Sequence, residues 1–176
     1  MKEKGHRSIP GYAVYEEEKV NLSGFLRSYN EAIVAVGSND LREAKTSRLM
    51  SLGIPLATVI HPTAVISPFS HISRGCAVLA RAVVNPNAHV GTGCIVNTGA
   101  IIEHDCIIGD FANICPGVSM AGHTKIGRKS FLGIGSTIMD DITVGEESVV
   151  GAGAVVIRNV PDRVVVAGVP AKEIHS

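Results

Sequence analysis

From Ile60 onward the chain keeps a period of six. Ile60, Ile66, Ile72, Val78, Val84, Val90, Val96, Ile102, Ile108, Ile114, Met120, Ile126, Leu132, Ile138, Val144, Val150 and Val156 are aliphatic or Met without one slip of register. The residue four later is mostly small: Ala64, Ser70, Cys76, Ala82, Ala88, Cys94, Ala100, Cys106 and Ala112, then Ser130, Ser136, Ser148 and Ala154. Glycine often follows the aliphatic residue, as at Gly91, Gly109, Gly127, Gly133, Gly145 and Gly151. A helix does not keep a strict six on one face, and a strand repeats at two. A coil of three short strands and three turns does keep it. The pattern therefore predicts a mainly β fold over residues 60–160, a triangular prism with the aliphatic and the small residues pointing inward. Roughly eighteen residues make one coil, coils stack about 4.8 Å apart, and stacking supplies the core that a single coil lacks.

Residues 1–59 have another texture. "AIVAV" (32–36) reads as a short buried strand, and "GSND" (37–40) as a turn with Asn39 or Asp40 capping a helix. "LREAKTSRLMSLG" follows, with Leu41, Ala44, Leu49 and Leu52 on one face and Gly53 as the stop. "PLATVI" (55–60) is a second strand leading into the prism, and "NLSGFLRSYN" forms a short amphipathic helix through Leu22, Phe25, Leu26 and Tyr29. The expectation is a small, truncated α/β domain of Rossmann-like kind, then the prism, then a C-terminal segment at 161–176.

Composition narrows the function classes. Lys+Arg is 16 and Asp+Glu is 16, without the cationic excess of a nucleic-acid surface. No apolar run reaches the roughly 18 residues that span a bilayer. MKEKGHRSIP carries charge with no apolar segment behind it, unlike a secretion signal. A cytoplasmic location is expected, with reduced cysteines. Cys76, Cys94 and Cys106 occupy the small inward position as buried small residues, Cys115 is also read as structural, and no CxxC pair suggests zinc.

One stretch breaks the apolar texture. In "IVNTGAIIEHDCIIGDF" (95–111), Glu103, His104 and Asp105 stand together. His104 comes two residues after inward Ile102, which puts it at a prism edge. Eighteen residues on is Gly122, then Asp140 and Arg158. A backbone N–H with no side chain over it would thus lie one coil above an imidazole. That pairing suits attack on a carbonyl: Gly122 donates to the developing oxyanion while His104, with an ordinary pKa near ~6.5, takes a proton from the attacking group. An adjacent carboxylate would orient the ring. An E-H-D triplet on a solenoid edge is equally a solvated edge and nothing more. His71 and His89 should stack as a surface ladder, His61 is read as structural, and His123 lines the groove beside Gly122. "GSND" offers N–H groups at a helix start to an anion, or is a plain connecting loop.

The [aliphatic]-Gly-x-x-x-x repeat resembles the left-handed parallel β-helix of the hexapeptide-repeat acyltransferases; the left hand is what the resemblance implies. "AIVAVGSNDLREAK", "ATVIHPTAVIS" and "NTGAIIEHDCIIGDF" resemble one branch, the sialic acid O-acetyltransferases and the N-acetyltransferases of nucleotide-linked amino sugars. The resemblance implies that His104 is the general base, that Asp105 holds it with Glu103 alongside, and that Asn97 contacts substrate. Nine residues after the base many relatives carry a second His, given by the neighbouring subunit. Here it is Asn113, which donates a hydrogen bond but does not titrate. Gly37, Ser38 and Asn39 fall on the substrate side. "VVVAGVPAKEI" (164–174) resembles the family's GxPAK ending, which packs on the last coil and frames the coenzyme A groove. That makes Gly122, His123, Arg158, Gly168 and Lys172 cofactor-side residues. The implied protein is a homotrimer, using acetyl-CoA without a metal to acetylate an amino sugar for surface glycan. One feature departs from the branch. Its N-terminal domain opens on a strand and a GxGGHG-type loop, and MKEKGHRSIPGYAVY does not match either. Three competitors stand beside this reading: a sugar O-acetyltransferase, a metal-dependent carbonic anhydrase on the same prism, and a non-catalytic scaffold. The carbonic anhydrase requires a His pair five residues apart, which this chain lacks.

Overall fold

The computed structural model describes residues 10–174 except Val20 and Arg27; the N-terminal residues 1–9, where a secretion signal was not expected, lie outside the described residues. The chain divides into two compact units, Met1–Asn30 and Glu31–Ser176. In the first, a 3-10 turn at Glu17–Lys19 precedes helix α1, Leu22–Leu26. The Phe25 ring there packs on Tyr15 at 4.8 Å and on Tyr29 at 5.2 Å between centroids.

The second unit is a parallel β-solenoid. Seventeen two-residue strands recur every six residues, from β1 (Val59–Ile60) to β17 (Val155–Val156). They form three sheets: β1, β4, β7 and every third strand after them in the first, the β2 series in the second, the β3 series in the third. Pairing is parallel at a constant offset of eighteen, as in Asn113↔Phe131 and Ile114↔Leu132. From Val78 to Val156 every inward aliphatic residue is at most 2% exposed. The first coil is the exception, with Ile60 47% exposed and Ile66 and Ile72 half-buried, because a coil is buried only by neighbours on both sides.

Two devices make the coil hold its shape. From Gly75 to Gly153 the second residue of each corner takes the left-handed conformation, as at Asn87 (φ 61), Asp105 (φ 60) and His123 (φ 58). That conformation is unfavourable for most side chains. From Asn87 on it is retained because each such N–H bonds a carbonyl of the coil below: Asp105 to Pro86 at 3.1 Å, His123 to His104 at 3.1 Å, Asp141 to Gly122 at 3.2 Å. The other device is close stacking. A Cβ on Gly109 would lie 2.6 Å from the Arg128 nitrogen, so only glycine lets those coils approach.

The small inward column is also a hydrogen-bonded column. Cys76, Cys94 and Cys106 donate to the carbonyls of Gly91, Gly109 and Ala121, each fifteen residues on. Ser130 does the same to Gly145, and Ser148 reaches Pro161 at 2.6 Å. Ser136 is fully buried yet its hydroxyl has no partner.

Helix α2 (Asn39–Ser51) flanks the first sheet. Its N-cap is Ser38, not Asn39 or Asp40, the Ser38 hydroxyl accepting from the Leu41 N–H at 3.4 Å. Its buried face is also not the expected one: Arg42, Thr46 and Leu49 are buried, whereas Leu41 and Leu52 are 47% and 40% exposed. Arg42 explains the rotation. Its guanidinium donates to the carbonyls of Gly93 (2.7 Å), Phe111 (2.7 Å), Val36, Gly37 and Ala112, and to Asn39 Oδ1. A buried charge is tolerated only when so compensated. Among the described residues, what stands in place of the expected Rossmann-like sheet is the isolated parallel bridge Ala32↔Leu56. "AIVAV" makes no longer ladder, because its partner run is already committed: Val59 and Ile60 pair with Ala77 and Val78 in the solenoid.

At the other end the register changes. Val149 pairs with Val165, an offset of sixteen rather than eighteen. β18 (Val165–Ala167) then pairs antiparallel with β19 (Lys172–Glu173), and the hairpin between them covers the last coil. Among the described residues no helix is long and apolar enough to cross a membrane.

The unpaired hydroxyl gives a stability test. Ser136→Ala is expected to raise unfolding stability by about 1 kcal/mol, since an unsatisfied buried polar group is removed. Ser148→Ala, which strands the Pro161 carbonyl, is expected to lower it by about 1 kcal/mol. Urea unfolding of both variants decides; equal shifts would contradict the assignment.

Candidate active site

The Glu103–Asp105 corner lies between β8 (Ile101–Ile102) of the second sheet and β9 (Ile107–Ile108) of the third. His104 is exposed and its Nδ1 lies 2.8 Å from Asp105 Oδ2. An ionised carboxylate only accepts, so Nδ1 carries the proton and Nε2 holds the lone pair. One coil above, a Cβ on Gly122 would stand 2.6 Å from His104 Cε1 and 2.8 Å from Nε2. The Nε2 edge of the ring therefore rests against the bare Cα of Gly122, on the edge that the eighteen-residue count picks out. Asp140 follows in the column, its Oδ1 3.1 Å from the same Cβ position. Arg158 is exposed two residues after Val156, which pairs with Ile138.

Electrostatics follow from these neighbours. The Asp105 hydrogen bond raises the His104 pKa above its ordinary value, partly opposed by desolvation and reinforced by the charges of Asp105, Glu103 and Asp140. Asp105 is held below the usual carboxylate range, first by His104 and then by the amide of Asn87. Glu103 Oε2 accepts from the His104 N–H at 3.2 Å. His123 packs its ring edge-on against His104, centroids 5.2 Å apart. His104, Asp105 and His123 bring ligand-type atoms within 4.8 Å of one another. Both Asp105 oxygens, however, are engaged by Asn87 and His104, so the trio is bonded internally rather than turned outward for an ion.

The other expected residues lie elsewhere. Asn97 follows β7 (Ile95–Val96) at the corner between the first and second sheets, its Oδ1 accepting from the Thr98 N–H at 2.8 Å. Asn113 opens β10 (Asn113–Ile114) in the first sheet and is 6% exposed, its amide donating to the Gly37 carbonyl at 3.2 Å. Ser38 caps α2, and the Asn39 amide donates to the Lys129 carbonyl at 2.7 Å. Gly37, Ser38 and Asn39 line a cavity of about 420 Å³ together with Asp40, Lys129, Phe131, Glu147 and Val149. Lys129 there pairs with Asp40 and Glu147. Gly168 (φ 94) and exposed Lys172 belong to the terminal hairpin, where the Gly168 carbonyl accepts from the Val155 N–H at 3.0 Å. His71 and His89 do stack, 5.9 Å between rings.

Sequence reasoning missed two features of this edge. Asn87 supports Asp105 from below, and Met139 and Ile157 expose apolar surface above Ala121, the neighbour of Gly122, 49% and 40% accessible. The signal for both was the same offset of eighteen.

Comparison with known proteins is consistent with this geometry. The bacterial transferase hexapeptide family (six repeats) matches residues 123–158. A His→Asn variant of perosamine N-acetyltransferase from Caulobacter crescentus, solved with CoA and GDP-perosamine, is 36% identical. It superposes with a TM-score of 0.86, covering 88% of this chain and 74% of its own. The acetyltransferase domain of PglB from Neisseria gonorrhoeae, bound to acetyl coenzyme A, is 36% identical with a TM-score of 0.89 over 99% of this chain and 84% of its own. The chain belongs to the hexapeptide-repeat acyltransferases, in the nucleotide-aminosugar N-acetyltransferase branch. WeeI from Acinetobacter baumannii is similar too, 26% identical with a TM-score of 0.85 over 96% of this chain and 81% of its own. No curated protein sequence matches the chain.

The pKa direction is open to direct test: in an NMR titration His104 should titrate above its ordinary value and Asp105→Asn should move it down, because removing the carboxylate destabilises the imidazolium. No movement would remove Asp105 as its partner.

Proposed function

We propose that this protein transfers an acetyl group from acetyl-CoA to the amino group of a nucleotide-linked sugar, by direct attack. The observation that carries the reading is the contact of the His104 Nε2 edge with the bare Cα of Gly122. The sugar amine attacks the thioester carbonyl carbon, and Nε2 accepts the proton it loses. The Gly122 N–H donates to the oxyanion as it forms. Collapse breaks the C–S bond, and the departing thiolate of CoA takes the proton from the imidazolium that Asp105 has stabilised. No acyl-enzyme is required. Cys106, two residues away, is fully buried with its thiol turned to the Ala121 carbonyl, and burial pushes its pKa up. The similar enzymes with a bound sugar nucleotide are N-acetyltransferases, which favours an amine over a hydroxyl as acceptor.

Ala121, Met139 and Ile157 succeed one another up the same edge and suit the pantetheine arm, with Arg158 at its phosphates and Gly168 and Lys172 framing the groove. Residues 1–59 are the substrate side, 60–160 the prism, read as left-handed, and 161–176 the cap. Asn97 and Asn113 stand on the first sheet and its corner, away from His104 in one chain. A site that uses all three needs a neighbouring copy, which fits a homotrimer with active sites between prisms. The product serves surface-glycan synthesis in the cytoplasm.

His104→Ala should lower CoA release with an amino-sugar nucleotide by ~10²- to 10⁴-fold while oligomeric state is kept; an unchanged rate would remove the assignment. Because the base must be neutral, kcat/KM should fall as pH drops through the raised His104 pKa. Gly122→Ala, whose methyl group collides with the ring, should cost activity with little loss of melting temperature.

A further inference from the structure

Asn87 stands eighteen residues before Asp105, at the same corner one coil below, in the left-handed region at φ 61. Asn tolerates that conformation better than most residues, which alone would account for its presence. Its side chain does something more specific. In turns an Asn usually bonds its own backbone neighbourhood; here Nδ2 reaches into the next coil and donates to Asp105 Oδ1 at 3.0 Å. The other oxygen, Oδ2, holds His104 Nδ1 at 2.8 Å. The carboxylate is thus fixed at both oxygens, and the corner bond of the Asp105 N–H to the Pro86 carbonyl, 3.1 Å, sets the spacing between the two coils.

We propose that Asn87 is a positioning residue for acetyl transfer: by anchoring Oδ1 of Asp105 it keeps Oδ2 on His104 Nδ1, and so keeps the Nε2 lone pair facing Gly122. The proposal rests on His104 being the general base. The Asp105 side chain is 38% exposed, and an exposed carboxylate free to rotate would be shared with water. An unheld neutral imidazole also favours the tautomer with its proton on Nε2, which is no base at that atom. The amide suits this role because it donates without adding charge. A cation at the same place would compete with the imidazolium for Asp105. The charged or titratable groups that face the ring are Glu103 and Asp105 from its own corner, His123 from the coil above and Asp140 from the coil above that; Asn87 meets the carboxylate from below.

Asn87→Gly tests this with little risk to the fold, since glycine takes a positive φ freely. Expected is a fall in kcat of about tenfold to a hundredfold, the span of a hydrogen bond to a charged group. KM for acetyl-CoA and for the sugar nucleotide should hold, because Asn87 is assigned to neither. Nitrogen-15 shifts of neutral His104 should move from the Nδ1–H tautomer towards Nε2–H. Asn87→Asp, which places a second carboxylate beside Asp105, should move the acid limb of kcat/KM to higher pH, because added negative charge favours the imidazolium. If His104→Ala retains turnover, the general-base reading fails and this proposal with it. If His104→Ala is inactive but Asn87→Gly keeps both rate and tautomer, only the role of Asn87 fails. A loss seen in KM or in melting temperature alone would also overturn it.

Discussion

The parallel offset of eighteen residues is the constraint from which the rest of this molecule follows. Each of the seventeen repeat strands has only two residues, too short to be a stable element by itself, and it persists because the neighbouring coils pair with it. The same offset forces the corners into register. A left-handed residue such as Phe111 or Asp105 is unfavourable in isolation, yet its N–H is delivered to a waiting carbonyl of the coil beneath. From Asn87 on, strain at these corners is offset by a bond that exists only when the neighbour is in register, so errors of register are penalised along all three edges.

The candidate active edge uses that regularity as an alignment device. Asn87, Asp105 and His123 share one left-handed column, and His104, Gly122 and Asp140 share the column beside it. In the proposed reaction the base and the orienting acid come from one corner and the open amide from the corner one coil above, and the offset of eighteen brings them together. Gly122 is central because it has no side chain: the imidazole occupies the volume a Cβ would take. His104 is raised in pKa by the Asp105 hydrogen bond first, which makes it a stronger base once neutral and a later one to become neutral as pH rises.

Helix α2 shows a different use of polar groups. Arg42 is buried against five carbonyls and one side-chain amide oxygen, and Arg128 and Lys129 pair with Glu43, Asp40 and Glu147 around it. Backbone carbonyls of the solenoid edge, such as those of Gly93 and Phe111, would otherwise face a helix with no donor. The guanidinium supplies several donors from one position, and in doing so fixes the turn at Gly37–Asn39. A helix docked by hydrogen bonds rather than by an apolar stripe shows no hydrophobic periodicity, which is why Leu41 and Leu52 were placed on the wrong side.

The chain's own pattern determined the solenoid, its period, its inward residues and the pairing of His104 with Gly122. All of these depend on local spacing, and a repeat of six converts spacing directly into three-dimensional position. What the linear pattern left open was set by contacts between coils and between α2 and the first sheet. The donor role of Cys76, Cys94 and Cys106, the support of Asp105 by Asn87, the six acceptors of Arg42 and the shortened last offset all belong to that class. Hydrogen bonds between distant residues depend on side-chain direction, and direction is decided only when the neighbouring coil is in place.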